Sequence, residues 1–148
     1  VRFSAAQALS KLGNASDAVI TGLLQPLKDE DSSVRFSAAQ ALSKLGNASD
    51  AVVTQLLQPL KDEKFFVRHF AAQALGELEN ASDAVIAELL QLLKDEEFSV
   101  RSSAAQALSK LGKANRSIES KIVQWIEQNQ DSEYIKHGID ALWQIVEA

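Results

Sequence analysis

The sequence contains no cysteine, which excludes disulfides and thiolate-ligated metal sites. This absence fits a reducing compartment, so we expect a cytoplasmic protein. Methionine is also missing, and the six glycines are isolated from one another, so no glycine-rich phosphate-binding loop is present. No apolar run approaches the ~20 residues that a membrane-spanning helix needs. We therefore expect no membrane partner.

Basic residues are outnumbered, with 15 Lys and Arg against 20 Asp and Glu, and the formal net charge is −5. Such a balance argues against a general affinity for nucleic acid. Hydrophobic residues make up 46% of the 148 residues, which is too many for a disordered chain. The composition indicates one folded domain with a core of its own.

The main positive signal is an internal repeat of 33 residues. The segment Val-Arg-Phe-Ser-Ala-Ala-Gln-Ala-Leu begins at Val1 and recurs at Val34, and altered copies begin at Val67 and Val100. The first two copies differ at only five positions. We divide the single domain, residues 1–148, into units 1–33, 34–66, 67–99 and 100–130 and a C-terminal cap, 131–148.

Each unit has the pattern of two helices. In the second unit, small and apolar residues recur at steps of three and four from Val34 to Leu45, which makes one helical stripe. Gly46 follows, where a left-handed residue would end the helix. Ser49 is predicted to cap a second helix whose apolar stripe runs to Leu60. So short a hairpin has too little interior of its own, so we expect the units to stack into a solenoid.

Three residues depart from the simplest form of this pattern. Pro26 and Pro59 lie within second helices, and they predict a bend in units one and two that is weaker in unit three. Glu79 replaces the glycine that ends the first helix. If the backbone there stays left-handed, the local cost is about 1 kcal/mol.

These motifs resemble a known family. The pattern Ala-Val-x-x-Leu-Leu-x-x-Leu-x-Asp, followed by Val-Arg-x-x-Ala-Ala-x-Ala-Leu-x-x-Leu-Gly, is similar to the HEAT repeat, in particular to the short bacterial repeats of the phycobilin lyase type. The resemblance covers almost the whole chain. It implies an all-α fold, a right-handed α-α superhelix of stacked helical hairpins.

The resemblance also implies a structural ladder between units, formed by an aspartate near the end of the second helix and an arginine six positions later. An arginine fork that binds a carboxylate or helix-end carbonyls would fix the angle between hairpins. The matching residues in this chain are Asp29 and Arg35, Asp62 and Arg68, and Asp95 and Arg101.

Residues suited to catalysis are few. The ladder pairs recur from unit to unit, which a catalytic pair need not do. Only His69 and His137 could act as bases or metal ligands. His69 takes the place of Phe36 and Ser102 in the neighbouring units, so we expect it to be a surface substitution. We predict no enzymatic activity, no catalytic residue, no metal site and no cofactor.

Differences between the repeats indicate where a protein partner would bind. One candidate surface is an aromatic edge formed by Phe65, Phe66, His69 and Phe98. The alternative is that Phe66 and Phe98 pack against neighbouring hairpins. Because the second helices of HEAT arrays usually line the concave face, the resemblance implies a second candidate, a polar row there. The alternative is that the row contacts only solvent, since such a surface would have the same polar composition. The row comprises Thr21, Gln25, Lys28, Thr54, Gln58, Lys61, Gln91 and Lys94.

The two ends of the sequence differ. Arg2 has no aspartate six residues upstream, so we expect a fragment of a longer array, or an N-terminus that associates end to end with another molecule. Toward the other end, Gln128 and Ile135 replace the ladder aspartate and arginine. We expect a C-terminal cap that Trp125 and Trp143 help to pack.

The sequence therefore favours a non-catalytic interaction scaffold, of bacterial type, that binds a protein or peptide on its concave face or aromatic edge. One alternative is a subunit that resembles the bilin lyases or acts as a chaperone. A HEAT-like nucleic-acid-binding module is the other, and the net charge disfavours it. The identity of the partner is not encoded in any motif.

Overall fold

The computed structural model describes Ala8, residues 16–46 and residues 48–147. Within these residues the structure is all-helical, as predicted. The expected stacking through Val1 and Arg2 falls outside them. The α-helices are α1 (Asp17–Leu24), α2 (Ser32–Leu45), α3 (Asp50–Leu56), α4 (Phe65–Glu77), α5 (Asp83–Leu92), α6 (Phe98–Ala114), α7 (Ser117–Gln128) and α8 (Ile135–Val146). Short 3-10 segments, Gln25–Lys28 and Pro59–Lys61, follow α1 and α3.

The helices form two layers. In the first-helix layer, α2 packs on α4, α4 on α6, and α6 on α8. The second-helix layer contains α1, α3, α5 and α7, and each of its helices packs on the first helix that follows it. The buried side chains lie mainly between these layers, and they form one continuous cluster from Ile20 to Ile145. The predicted solenoid of stacked hairpins is confirmed.

Small residues bring the helices of the first layer close together. Ala71, Ala72 and Ala74 of α4 are at most 1% exposed. At Gly76 of α4, an added Cβ would lie 2.9 Å from both Cα and Cβ of Ala107 in α6. Such a contact is too short for any side chain to fit without a shift of the neighbouring helix.

The ends of the first helices follow the predictions in two units and differ in one. Gly46 ends α2 with φ 65°, and Glu79 keeps the left-handed backbone after α4 with φ 53°. In contrast, α6 continues through Gly112 to Ala114. Gly112 lies inside the helix, where a Cβ would overlap the side chain of Ile145 in α8. The glycine at this position therefore permits close packing instead of ending the helix.

The second helices begin and end largely as expected. Ser49 is the N-cap of α3. Each proline changes the helix type instead of bending one α-helix, because α1 and α3 end before Pro26 and Pro59 and a 3-10 segment follows. No proline interrupts α5, and it runs as one α-helix to Leu92. The missing N–H of proline explains the difference between the units.

The C-terminal helix is packed on one side only. Trp125 is buried, and the ring of this tryptophan lies so close to Gly138 of α8 that a Cβ there would be 2.6 Å from Cζ3. Trp143, however, is 60% exposed, so the prediction that it packs the cap is wrong. With Ile139 and Val146 it lies on the face of α8 that no other helix in the described part of the chain covers.

Candidate interaction surfaces

The ladder joins neighbouring units, but its side chains pair differently from the predicted spacing of six. Nε and Nη2 of Arg35 donate to Oδ2 and Oδ1 of Asp62, 27 residues later, at 2.5 and 2.9 Å. Arg68 binds Asp95 in the same way, at 2.7 and 2.9 Å. The contact with the aspartate six residues earlier uses its main-chain carbonyl, as Nη1 of Arg35 donates to O of Asp29 at 2.8 Å.

The remaining ladder arginine lacks this carboxylate contact. Nη1 of Arg101 donates to the carbonyls of Asp95 and Glu96 at 2.6 and 2.9 Å, as the equivalent atoms do in the earlier units. Its Nε donates to Nε2 of His137 at 3.1 Å. At the interface between α6 and α8, a hydrogen bond between arginine and histidine therefore replaces the arginine–aspartate ion pair of the earlier units.

Hydrogen bonds within the ladder shift the pKa values of Arg35, Asp62 and Arg68 toward their charged forms. Burial raises the pKa of Asp62, but hydrogen bonds from Arg35 and from the main-chain N–H of Lys64 outweigh it, and the net pKa is lowered. The hydrogen bond to Asp62 raises the pKa of Arg35, and the bond to Asp95 raises the pKa of Arg68, in both cases against burial. Arg35 and Asp62 therefore remain ionised between their units.

The predicted aromatic edge is two clusters in the structure. Phe66 packs on Phe36, with ring centroids 6.4 Å apart, and Phe65 packs on Phe66 at 5.9 Å. Phe98 belongs to a second cluster, 5.6 Å from the ring of His137. Phe65 and Phe98 are 45% and 66% exposed, whereas Phe66 is half-buried between hairpins, as the alternative interpretation expected.

His69 is half-buried and contacts the next unit, which the expectation of a simple surface substitution did not include. Its Nδ1 lies 2.6 Å from Oγ of Ser103 and 3.1 Å from the carbonyl oxygen of Ser99, and its ring contacts Phe70. Both serine contacts cross from α4 to α6, so the imidazole connects two units. The side chain is half-buried, and the prediction that His69 contacts a partner stays a prediction.

The predicted polar row on the second-helix layer is exposed along its whole length. Every member is solvent-accessible: Thr21, Gln25, Lys28, Thr54, Gln58, Lys61, Gln91 and Lys94. The row is not uniform, because Nζ of Lys61 forms an ion pair with Glu88 at 2.8 Å, across to the next unit. Within the described residues, six of the eight members line two separate grooves, and Gln58 and Lys61 line neither of them.

One groove lies between α1 and α3 and encloses about 440 Å³. Thr21, Gln25, Lys28 and Thr54 line it together with Leu24.

The second groove lies between α5 and α7, and we call it the α5–α7 groove. It has two adjoining parts of about 410 and 320 Å³, which share Leu90, Trp125 and Gln128. Gln91 and Lys94 of the predicted row line it, and Gln124, Lys121 and Asn129 are further members. Gln124 follows Gln91 at the 33-residue repeat distance, a signal that could have placed the fourth unit in the row.

An ion pair borders the α5–α7 groove. Lys121 of α7 donates to Oδ1 of Asp83 at the start of α5, and this hydrogen bond lowers the pKa of Asp83. The pair links the two helices across the groove.

The described residues contain no group of three histidine, aspartate or glutamate side chains that could hold a metal ion. None of the helices described is long and apolar enough to cross a membrane.

The repeat spacing, the paired layers and the interunit ladder agree with one family. A family model for HEAT repeats matches residues 1–64 and 53–143. The chain belongs to the HEAT-repeat family. A search of curated proteins gives no significant match.

Solved structures of other proteins share this HEAT-type fold. The CpcE–CpcF complex of phycocyanin lyase from Nostoc sp. PCC7120 aligns with a TM-score of 0.74 and 24% identity, over 99% of this chain and 60% of that chain. A designed armadillo repeat protein in complex with the peptide (KR)4 aligns with a TM-score of 0.70 and 18% identity, over 97% and 74%. An engineered protein aligns with a TM-score of 0.65 and 24% identity, over 98% and 73%. At these identities the likeness concerns the fold.

Proposed function

We propose that this HEAT-repeat chain is a non-catalytic interaction module that binds an extended segment of a partner protein in the α5–α7 groove. The observation that carries the proposal is the lining of this groove. Half-buried Leu90 and the 8% of Trp125 that is exposed supply apolar surface, and the amide side chains of Gln91, Gln124 and Gln128 surround it.

The amide side chains suit a peptide main chain. Each glutamine offers both a donor and an acceptor, the same combination as the N–H and C=O of a peptide unit. Because Gln91 and Gln124 lie on different helices, an extended segment between them would be contacted from both sides. The apolar surface of Leu90 and Trp125 would then bury one of its side chains.

The exposure of these residues supports a role in binding, because the fold does not need them for its core. Gln91, Gln124 and Gln128 are all exposed, and the core between the layers forms without them. The helices that hold them are fixed by buried neighbours, such as Leu89 of α5 and Ile122 of α7. The groove is therefore formed before a partner arrives, which lowers the entropic cost of binding.

Selection from a random peptide library displayed on phage tests the proposal. Binding of the selected peptides is measured by fluorescence of Trp125 in a Trp143→Phe background, so that the groove tryptophan is the only reporter. We expect Gln91→Ala and Gln128→Ala each to weaken binding by about tenfold, equivalent to the loss of a well-made hydrogen bond.

Gln106→Ala is the matched control, since Gln106 is an exposed glutamine on α6 of the first-helix layer. It is expected to leave the affinity unchanged. Peptides that bind equally well to the wild type and to both groove variants would contradict the proposal, as would the selection of no peptide at all.

A lyase-like role is the second candidate function, favoured by the alignment over 99% of the chain with the phycocyanin lyase complex. Such a role would require binding of a bilin chromophore. Mixing the chain with a free bilin and recording the absorbance spectrum tests it. A saturable shift of the bilin band would support this function, and an unchanged spectrum would exclude it.

A further inference from the structure

Arg101 differs from the other two ladder arginines, Arg35 and Arg68, in the groups that its side chain binds. Arg35 and Arg68 each hold a carboxylate through Nε and Nη2, and each also contacts main-chain carbonyls through Nη1. Arg101 keeps the carbonyl contacts, so its guanidinium is held in the same way. Position 128, which corresponds to Asp95 in the repeat, is a glutamine.

In the described part of the chain, no aspartate binds Arg101 as Asp62 and Asp95 bind the other two arginines, and His137 replaces only one of the two missing contacts. Nε donates to Nε2 of His137. Among the described residues, no carboxylate lies within ion-pairing distance of Arg101, and Nη2 has no hydrogen-bond acceptor. Burial and the charge of Arg101 lower the pKa of His137, so the imidazole is neutral near pH 7 and can accept this bond.

Aromatic rings hold the guanidinium and extend the surface. The Cζ atom of Arg101 lies 5.1 Å from the ring centroid of Tyr134 and 5.8 Å from that of Phe98. Cation–π contacts of this kind attract the guanidinium without using its N–H donors. Phe98 is the most exposed of the large apolar side chains described, so apolar surface adjoins the open donor.

We propose that Arg101, Phe98 and Tyr134 form a recognition site for an acidic side chain of a protein partner, next to an apolar residue of the same segment. The carboxylate accepts from Nη2 of Arg101, one of the two donors that bind the aspartate at Arg35 and Arg68, while Nε keeps its bond to His137. The apolar residue covers Phe98. This site is separate from the groove of the proposed function, and its residues are different.

The charged residues around the site determine how strongly it is expected to bind a carboxylate. Lys136 adds a positive charge near His137, while the carboxylate of Asp140 opposes it. Glu96 and Glu133 act on Tyr134 and weaken the attraction for another carboxylate. The site alone is therefore expected to bind short ligands weakly, and its contribution lies in selecting an acidic over a neutral residue.

NMR of the arginine side chains in the ¹⁵N-labelled chain tests the proposal directly. The probes are the dipeptides Ac-Leu-Asp-NH2 and Ac-Leu-Asn-NH2, which differ in one charge. We expect the Nε–Hε signal of Arg101 to shift saturably, with about tenfold higher affinity for the aspartate dipeptide. The signals of Arg35 and Arg68 should not move, because their carboxylate positions are already filled.

Two outcomes would overturn the proposal. One is an equal response of Arg101 to the two dipeptides, and the other is a parallel shift of the Arg35, Arg68 and Arg101 signals, which would indicate general ionic attraction. Arg101→Lys keeps the charge but loses the fork, so it should reduce the preference for aspartate, and Phe98→Ser should weaken both dipeptides alike. Because the native chain contains both the site and its controls, the test does not depend on the folding of a variant.

Discussion

Nε and Nη2 of Arg68 donate to the two carboxylate oxygens of Asp95, 27 residues later in the chain, at 2.7 and 2.9 Å. Through Nη1 the same guanidinium donates to the main-chain oxygen of Asp62 at 2.8 Å. One side chain thus connects its own helix, the link before it and the link of the next unit. Both partners are mostly buried, with 10% and 8% of the side chains exposed. The stability of a unit therefore depends on its neighbour.

The contact between Gly76 and Ala107 predicts a strong effect of added volume. Gly76→Val should lower the free energy of unfolding by about 1–3 kcal/mol, because the new side chain forces α4 and α6 apart. Chemical denaturation measures the change. Gln73→Val, at an exposed position of the same helix, is the control and should stay within about 0.5 kcal/mol of the wild type. Equal effects of the two substitutions would show that α4 and α6 are not closely packed.

The left-handed backbone at Glu79 predicts that glycine is more stable there. Glu79→Gly should raise the free energy of unfolding by about 1 kcal/mol, since glycine adopts positive φ without steric cost. Gly46→Glu is the reciprocal change in the preceding unit, where nothing lies within 4 Å of an added Cβ. It should destabilise the chain by a similar amount. Urea denaturation that moves both variants in the same direction would contradict this interpretation.

The lowered pKa of His137 predicts a pH dependence of stability. Its ordinary value is 6.5, and burial followed by the charge of Arg101 lowers it in the folded chain. Lys136 acts in the same direction, and Asp140 opposes it. The unfolded state therefore binds more protons, and the stability contribution of His137 is present above pH 6.5 and decreases as the pH falls below it.

His137→Gln removes this titration while keeping a side-chain acceptor for Nε of Arg101. Thermal unfolding at about pH 7.5 and about pH 5.5 should show a smaller loss of stability for the variant than for the wild type. If the two proteins lose the same stability over this interval, His137 does not titrate with a lowered pKa.

Much of the fold could be predicted because the same pattern of helices and helix ends recurs in every unit. Spacing of three and four residues identified the helices, and Gly46 and Ser49 marked their ends. The pairing of the ladder could not be read from one unit, because Arg68 finds its carboxylate in the next unit. That choice depends on how far α4 and α6 are offset when they stack.

The candidate sites were harder to predict for related reasons. The bonds of His69 to Ser103 and Ser99 cross between helices, so no local pattern separates this residue from an exposed one. Trp143 occupies a position whose equivalents in the two preceding units, Gly76 and Ser109, are buried, whereas Trp143 is exposed. No pattern within α8 separates an exposed tryptophan at this position from a buried one.

A double-mutant cycle on Arg68 and Asp95 tests most directly whether each unit is stabilised by the next. The free energies of unfolding of Arg68→Gln, Asp95→Asn and the double variant are compared with that of the wild type, with Arg101→Gln plus Asp131→Asn as a control cycle. We predict a coupling energy of about 1–3 kcal/mol for the ladder pair and about zero for the control. A ladder cycle with no coupling would contradict the account.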